Sequence, residues 1–296
     1  MAEPSMETET VNREIDALLK DIDTLVSLPE IALRVNQVAD DPTSTAEDMG
    51  KVIAQDPALS VRMLKIANSP LYGLRKEVDT IARAVSLLGL DEIRNLVLTT
   101  SVGKAFDGIP NDLITMHDFW HHSLYCGLLA QILGKQAGLK TSDALFVAGL
   151  LHDIGQLVMF NRAPEKSHQA IVMLTDTVAD MDMHESERRV FGFDHMQVGA
   201  QLIRNWHLSP LLEECVAYHH EPTRAQQYPK EVAIVHIANA VAVMAEFDST
   251  DEDYEVPHID PYAWEITGLN ENILAPVIKE AQAEIIDIEN TLFQAA

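Results

Sequence analysis

SDALFVAGLLHDIGQLVMF, residues 142–160, is apolar around its whole circumference when wound as a helix, and it places His152 and Asp153 in the middle of that surface. A helix with no polar face belongs in an interior. No apolar run in the chain approaches the roughly 18 residues of a membrane span without meeting a charge or a histidine. The segment therefore reads as the central helix of a protein core, with an imidazole and a carboxylate buried inside it. Both groups are costly to bury unless each finds a partner.

Outward from this segment the pattern stays helical, with no apolar/polar alternation of strand length. An acidic tail over residues 1–14, expected to be disordered, grades into an amphipathic helix over 11–26, with Ile15, Leu18, Leu19, Ile22 and Leu25 on one face. Ser44 and Glu47 have the spacing of a capping box for a helix running to about Gln55. Asp56-Pro57 supplies an N-cap and an N1 proline for the next helix. Thr80 opens another helix, which Gly89 can end in a left-handed cap, with Asp91 capping its successor. Asp194 with Gln197, and Ser209 before Pro210, mark two further starts, the second helix being stopped by Pro222. Residues 230–246 form a strongly apolar helix, 248–260 an acidic loop, and a closing helix runs from about Asn270. The best division is at Gly108-Ile109-Pro110. It separates a helical half, 15–110, from a second helical half, 111–246, with the acidic loop and closing helix in 247–296. Trp120, Trp206 and Trp264 read as packing residues, and so does Tyr72 in the turn 69–73.

With 21 Lys and Arg against 46 Asp and Glu, the net charge is −25. Such a surface repels nucleic acid and anionic lipid. The scattered Arg62, Lys65, Arg75, Lys76, Arg83 and Arg94 read as a solvated face. The helix–Gly–helix run VSLLGLDEIRNLV, 85–97, exposes Asp91, Glu92 and Arg94, too few cations for a DNA-reading motif. Cys126 and Cys215 lie in apolar patterns, which suits a reducing compartment. The acidic start MAEPSMETET has no apolar core and is not a signal peptide. The expected location is the cytoplasm, with no nucleic-acid or membrane contact.

The twelve histidines are informative by position. His122 shares a helix face with Cys126, Leu129 and Leu133; His195 is in line with Gly199, Leu202 and Trp206; His219 follows Cys215 on a buried side, with His220 adjacent. Such a set either shares a metal ion or persists as structural hydrogen bonds.

His122 followed by His152-Asp153 in LLHDIG resembles the signature of the HD phosphohydrolase superfamily, and the likeness extends toward the HD-GYP branch that hydrolyses cyclic di-GMP. Asp118, one turn before His122, matches that branch's early acidic residue. His195 matches its later single histidine, and His219, His220 and Glu221 match its His-His-Glu step. Asn239 stands where that branch has an aspartate. The resemblance implies a metal set of His122, His152, Asp153, His195, His219 and His220, with Asp118 and Asn239 as further candidates, holding one or two divalent ions (iron, manganese or zinc). The departures point away from catalysis. Asn239 lacks a bridging charge, and Gln156 replaces the lysine expected to clamp substrate phosphate. In EPTRAQQYP, 221–229, Ala225 and Gln227 replace glycines that would let backbone approach a nucleotide.

Upstream, LPEIALRVNQVADDP (28–42), DPALSVRMLKIANSPLYG (56–73) and TIARAVSLLGLDEIRNLVL (80–98) resemble the N-terminal half of HDOD proteins, the HD-related output domain; the likeness covers about residues 20–245. It implies an all-α fold in which an N-terminal helical subdomain packs on a C-terminal HD-like bundle, and a bacterial signalling role with a degraded active site. The favoured function is an output or adaptor acting on signalling partner proteins. The alternatives are a metal-dependent phosphohydrolase acting on a nucleotide or cyclic dinucleotide, and a metal or nucleotide sensor. A homodimer is left open, and no catalytic or substrate-binding residue is assigned.

Overall fold

In the computed structural model of the chain, residues 6–20, 30–68, 72, 76–105, 113–176, 181–246 and 257–293 are described. The protein is all-α, with no strand among the described residues. The Gly108–Pro110 division, Ile22, Leu25 and most of the acidic loop lie outside them.

The N-terminal body comprises α1 (Met6–Leu19), α2 (Glu30–Asp40), α3 (Ala46–Ile53), α4 (Pro57–Ala67), α5 (Ile81–Leu88) and α6 (Leu90–Ala105). Local chemistry sets their starts. Thr45 and Asp48 form the capping box of α3, one residue after the expected Ser44–Glu47 pair; in this register Met49, Val52 and Ile53 face the core. Asp56 caps α4 and Thr80 caps α5, as read. Gly89 does take positive φ, but with an extended ψ of 164°, and α6 begins at once with Leu90, so Asp91 lies in its first turn instead of capping it. Arg94 is neutralised by Asp40 and Asp91, as suits a packed helical corner. Arg62 is buried, not part of a solvated face.

The second body contains α7 (Met116–Gln136), α8 (Ser142–Leu151), α9 (Ile154–Arg162), α10 (Pro164–Asp176), α11 (Met183–Phe191), α12 (His195–Asn205), α13 (Pro210–Tyr218) and α14 (Pro229–Glu246), followed by α15 (Pro261–Thr267) and α16 (Leu274–Phe293). Its centre is the α7–α8 pair, with α14 and α16 against α7, and α9 against α12. Two departures from the sequence reading matter. The stretch 142–160 is two helices, broken at His152-Asp153, so that Asp153 ends one turn and starts the next. Read as one segment, Ala144–Arg162 is the sole described stretch long and apolar enough to cross a membrane, and 78% of its window is buried inside the fold.

The other departure concerns α1, which begins at Met6 inside the expected tail, with Val11 packed against the core. It packs on α9 and α12 of the second body, not on the N-terminal half to which sequence order assigned it. Arg162 on α9 fastens it by donating to the carbonyls of Leu18 and Lys20 at 3.2 and 2.8 Å. At the other end α16 touches α7 and also α4 and α6. The first and last described helices are thus both anchored on the second body, and α16 ties both bodies together.

Candidate metal centre

Two pairs of glycines let the helices around His152-Asp153 approach closely. A Cβ on Gly149 of α8 would lie 2.7 Å from the backbone of Gly127 on α7; one on Gly155 of α9 would lie 2.0 Å from the carbonyl oxygen of His195, with Gly199 of α12 also in contact. The break at residues 152–153 falls between these contacts. The carboxylate of Asp153 is thereby aimed at the facing ends of α12 and α13.

The histidines are held by one nitrogen each. His152 Nδ1–H donates to the carbonyl of Gly149 at 2.6 Å, and His219 Nδ1–H to that of Val216 at 3.0 Å. His195 Nδ1–H donates to Glu187 Oε2 at 2.6 Å, while the backbone N–H of His195 reaches the same oxygen at 2.8 Å. His122 Nδ1–H lies 3.1 and 3.2 Å from the two oxygens of Glu246. Carbonyls and carboxylates only accept, so in the neutral imidazoles these contacts place the proton on Nδ1 and leave Nε2 with a lone pair. Those lone pairs point at other acceptors. His195 Nε2 and His219 Nε2 are 3.3 Å apart, and Asp153 Oδ1 is 3.3 Å from the first and 3.4 Å from the second. His152 Nε2 faces Asp153 Oδ2 at 3.1 Å, and His122 Nε2 faces Asn239 Oδ1 at 3.1 Å.

Acceptors gathered this closely need positive charge between them, either a metal ion or the protons that the imidazoles take up in its absence. Two ligands of a tetrahedral ion, each about 2.0–2.1 Å from it, stand about 3.3–3.4 Å apart. Asp153 Oδ1 and His152 Nε2 are also buried without a hydrogen bond. Two ligand groups follow, Asp153 with His195, His219 and His220, and His122 with His152 and Asp153, so the carboxylate belongs to both. The residues present fit a divalent metal, with the second nitrogens braced as metal-bound imidazoles are.

In the metal-free cluster protons supply part of that charge. Burial alone would depress the basicity of His152, but Asp153 and Cys126 hold it well above the usual imidazole range. Burial likewise opposes ionisation of Asp153, yet His152, His195 and His219 keep its carboxyl well below normal. Burial acts against the charge on His195 too; Glu187 and Asp153 overcome it and raise that group to about 9. At His219 burial and the neighbouring imidazoles prevail, lowering it to about 4, and the same causes push His220 well down.

His122, His152, Asp153, His195, His219 and His220 are thus brought together, with Asn239 beside His122. Asp118 is not. It is exposed in the first turn of α7, where its N–H donates to the Thr115 hydroxyl at 3.0 Å and its carboxylate lies 3.4 Å from His117. Although it stands at i−4 from His122, it lies in the first turn that Thr115 caps, and its carboxylate stays at the surface beside His117. Glu221 is no ligand either. Arg188 grips it through two nitrogens at 3.0 and 2.9 Å, and Arg188 with Arg224 overcomes burial to lower its carboxyl to about 2. Sequence reasoning missed Glu187 and Glu246. For Glu187 a signal was present, since His184, Glu187 and Phe191 form one buried stripe along α11. His236, which links the carbonyl of His219 at 2.7 Å to the N–H of Asp260 at 2.9 Å, was missed as well.

Known proteins repeat this architecture. A Treponema pallidum (strain Nichols) protein is 26% identical over 240 residues, covering 79% of this chain and 45% of its own, so the chain spans less than half the length of that relative. The crystal structure of a phosphohydrolase candidate from Shewanella amazonensis SB2B superposes with a TM-score of 0.72 at 25% identity, over 93% of this chain and 98% of that one. An HDOD domain protein from Geobacter sulfurreducens gives a TM-score of 0.73 at 23% identity, over 96% and 99%. The HDOD domain family model matches residues 25–222, from the first body through the His219-His220 step, and on that match the chain belongs to the HDOD family.

Proposed function

We propose that the chain is a signal-transduction output or adaptor protein that acts through its helical surfaces on partner proteins. It holds one or two divalent ions (iron, manganese or zinc) around Asp153 and does not hydrolyse phosphodiesters efficiently. The observation that carries this reading is Asn239, whose neutral amide oxygen faces His122 Nε2 at 3.1 Å, where the resembling hydrolases have an aspartate. Among the described residues the neighbouring arginines are engaged elsewhere, Arg188 with Asp194 and Glu221, and Arg224 with Glu221.

When bound, such ions act as Lewis acids that stabilise the attacking and leaving oxygens of a phosphoryl displacement. The chain's own residues orient ligands. Glu187, Glu246 and the carbonyls of Gly149 and Val216 fix four imidazoles, and Asp153 joins the two groups. A centre so braced can stabilise the fold, or report metal, without turnover. The net charge of −25 suits protein partners in the cytoplasm better than nucleic acid or anionic membrane.

A second reading, metal-dependent phosphohydrolase, is favoured by the sharing of Asp153 between two ligand groups. One experiment separates the two. Protein purified without added metal or chelator is analysed for bound metal and assayed on cyclic di-GMP and bis(p-nitrophenyl) phosphate. The proposal expects about one or two equivalents of metal and no turnover above that of Asp153→Asn. Turnover abolished by Asp153→Asn in a folded variant would establish the hydrolase instead.

A further inference from the structure

Outside this centre, His117 and His121 stand one turn apart on α7, their rings parallel within 5° and 6.0 Å between centroids. From the facing helix α16, Glu289 reaches both. Its Oε1 lies 3.3 Å from His117 Nε2 and its Oε2 lies 3.5 Å from His121 Nδ1. The Glu289 side chain is only 19% exposed, and among the described residues these imidazoles are its ionic contacts. His121 Nδ1 is buried and makes no hydrogen bond. Asp118, a further candidate for the inner centre on sequence, lies here instead, 3.4 Å from His117 Nδ1.

Two histidines at i and i+4 on one helix, joined by a carboxylate from another, form a three-ligand set for a borderline-soft divalent ion. The 3.3 and 3.5 Å N···O separations are close to the spacing of about 3.3–3.4 Å between two ligands of one tetrahedral ion. A set with two nitrogens does not suit magnesium or calcium, which take oxygen ligands. Closing both imidazoles on one ion needs a rotation of His117, and that side chain is 73% exposed. We infer that His117, His121 and Glu289 form a second, outer binding site for a transition-metal dication of the Zn2+ type, separate from the Asp153 centre. Because α16 also packs on α4 and α6, an ion at this site fastens to α7 the helix that ties the two bodies together.

The test uses the full chain, stripped of metal and titrated with Zn2+ by calorimetry, with bound zinc counted after dialysis. Wild type is expected to hold about one equivalent more than His117→Gln or Glu289→Gln, or to bind that equivalent roughly tenfold or more tightly. In an Asp153→Asn background the outer equivalent persists, and added Zn2+ raises the melting temperature. That rise disappears when His117→Gln is introduced. His117 is exposed enough for its substitution to leave the fold intact, which circular dichroism verifies. Equal zinc content and affinity in wild type, His117→Gln and Glu289→Gln would overturn the inference, whatever becomes of the inner centre.

Discussion

Replacing Gly155 by alanine drives a methyl group into backbone. The added Cβ would meet the carbonyl oxygen of His195 at 2.0 Å and the amide nitrogen of Gly199 at 2.5 Å. Neither is the far end of a side chain, so no rotamer change relieves the contact. Moving from 2.0 Å to an ordinary 3.4 Å contact requires a shift of about 1.4 Å between α9 and α12. Those helices carry Asp153 and His195 at their adjoining ends, and a wedge of that size opens the 3.3 Å separation between the two groups beyond what one ion can span. Overpacking typically costs about 1–3 kcal/mol, and a backbone-on-backbone clash belongs at the upper end of that range. Gly50→Ala is the matched control, because its Cβ meets Ala82 at an unstrained 3.5 Å. There the gain in helix propensity should stabilise by about 0.5–1 kcal/mol. Urea unfolding followed by circular dichroism, with metal removed and restored, measures both effects. The expected result is a loss of about 3 kcal/mol in Gly155→Ala, together with weaker metal binding. If Gly155→Ala unfolded with Gly50→Ala and kept its metal, the helix contact would not be what positions the centre.

Three other outcomes can be checked. In metal-free protein, His195 is raised from 6.5 to about 9, so its contribution is fully present below pH 6.5 and is lost as pH rises through 9; His219, lowered to about 4, acts oppositely and loses its contribution as pH falls from 6.5 toward 4. Melting temperature against pH should therefore peak near neutrality, and Glu187→Gln should flatten the alkaline limb while weakening metal binding about 10–100-fold; an unchanged alkaline limb would remove Glu187 from this role. Arg188→Leu leaves the fully buried Asp194 carboxylate without its ion pair and should cost about 3–5 kcal/mol in denaturant unfolding, whereas loss of a solvated pair would cost under about 1 kcal/mol. Asn239→Asp combined with Gln156→Lys restores the two groups whose absence argues against hydrolysis, and should raise phosphodiesterase activity above the wild-type background in a metal-loaded assay. A metal-replete, folded double variant with no gain would show that the barrier lies elsewhere, in the loop where Ala225 and Gln227 replace glycines.

The helices were readable because each rests on a local pattern, and the histidine cluster because its residues match a family's motifs. Caps at Asp56, Thr80, Asp194 and Ser209 need only a polar side chain at the right offset from an apolar run. The histidines could be nominated because imidazoles inside apolar faces are conspicuous. What could not be read depends on contacts between distant segments. The break at His152-Asp153 is invisible to periodicity, since an apolar stretch looks the same whether it continues straight or turns once between helices. The attachment of α1 to the second body is a tertiary choice that its amphipathic face does not specify.

The carboxylates behind the histidines mark the sharper limit. Glu187 and Glu246 are 8 and 124 residues from the histidines they hold, in a chain with 46 acidic residues, so composition hides them. Their effect is nonetheless chemical. By accepting from Nδ1 they turn each Nε2 into an acceptor aimed at the centre, which makes the cluster costly without a cation and receptive with one. The resemblance that nominated Asp118 does not carry it to the centre: Asp118 stands in the first turn of α7, where the Thr115 hydroxyl caps its backbone N–H and its carboxylate lies exposed beside His117. Position along a helix face indicates which residues can meet. The ends of helices, and the partners behind each imidazole, decide which of them do.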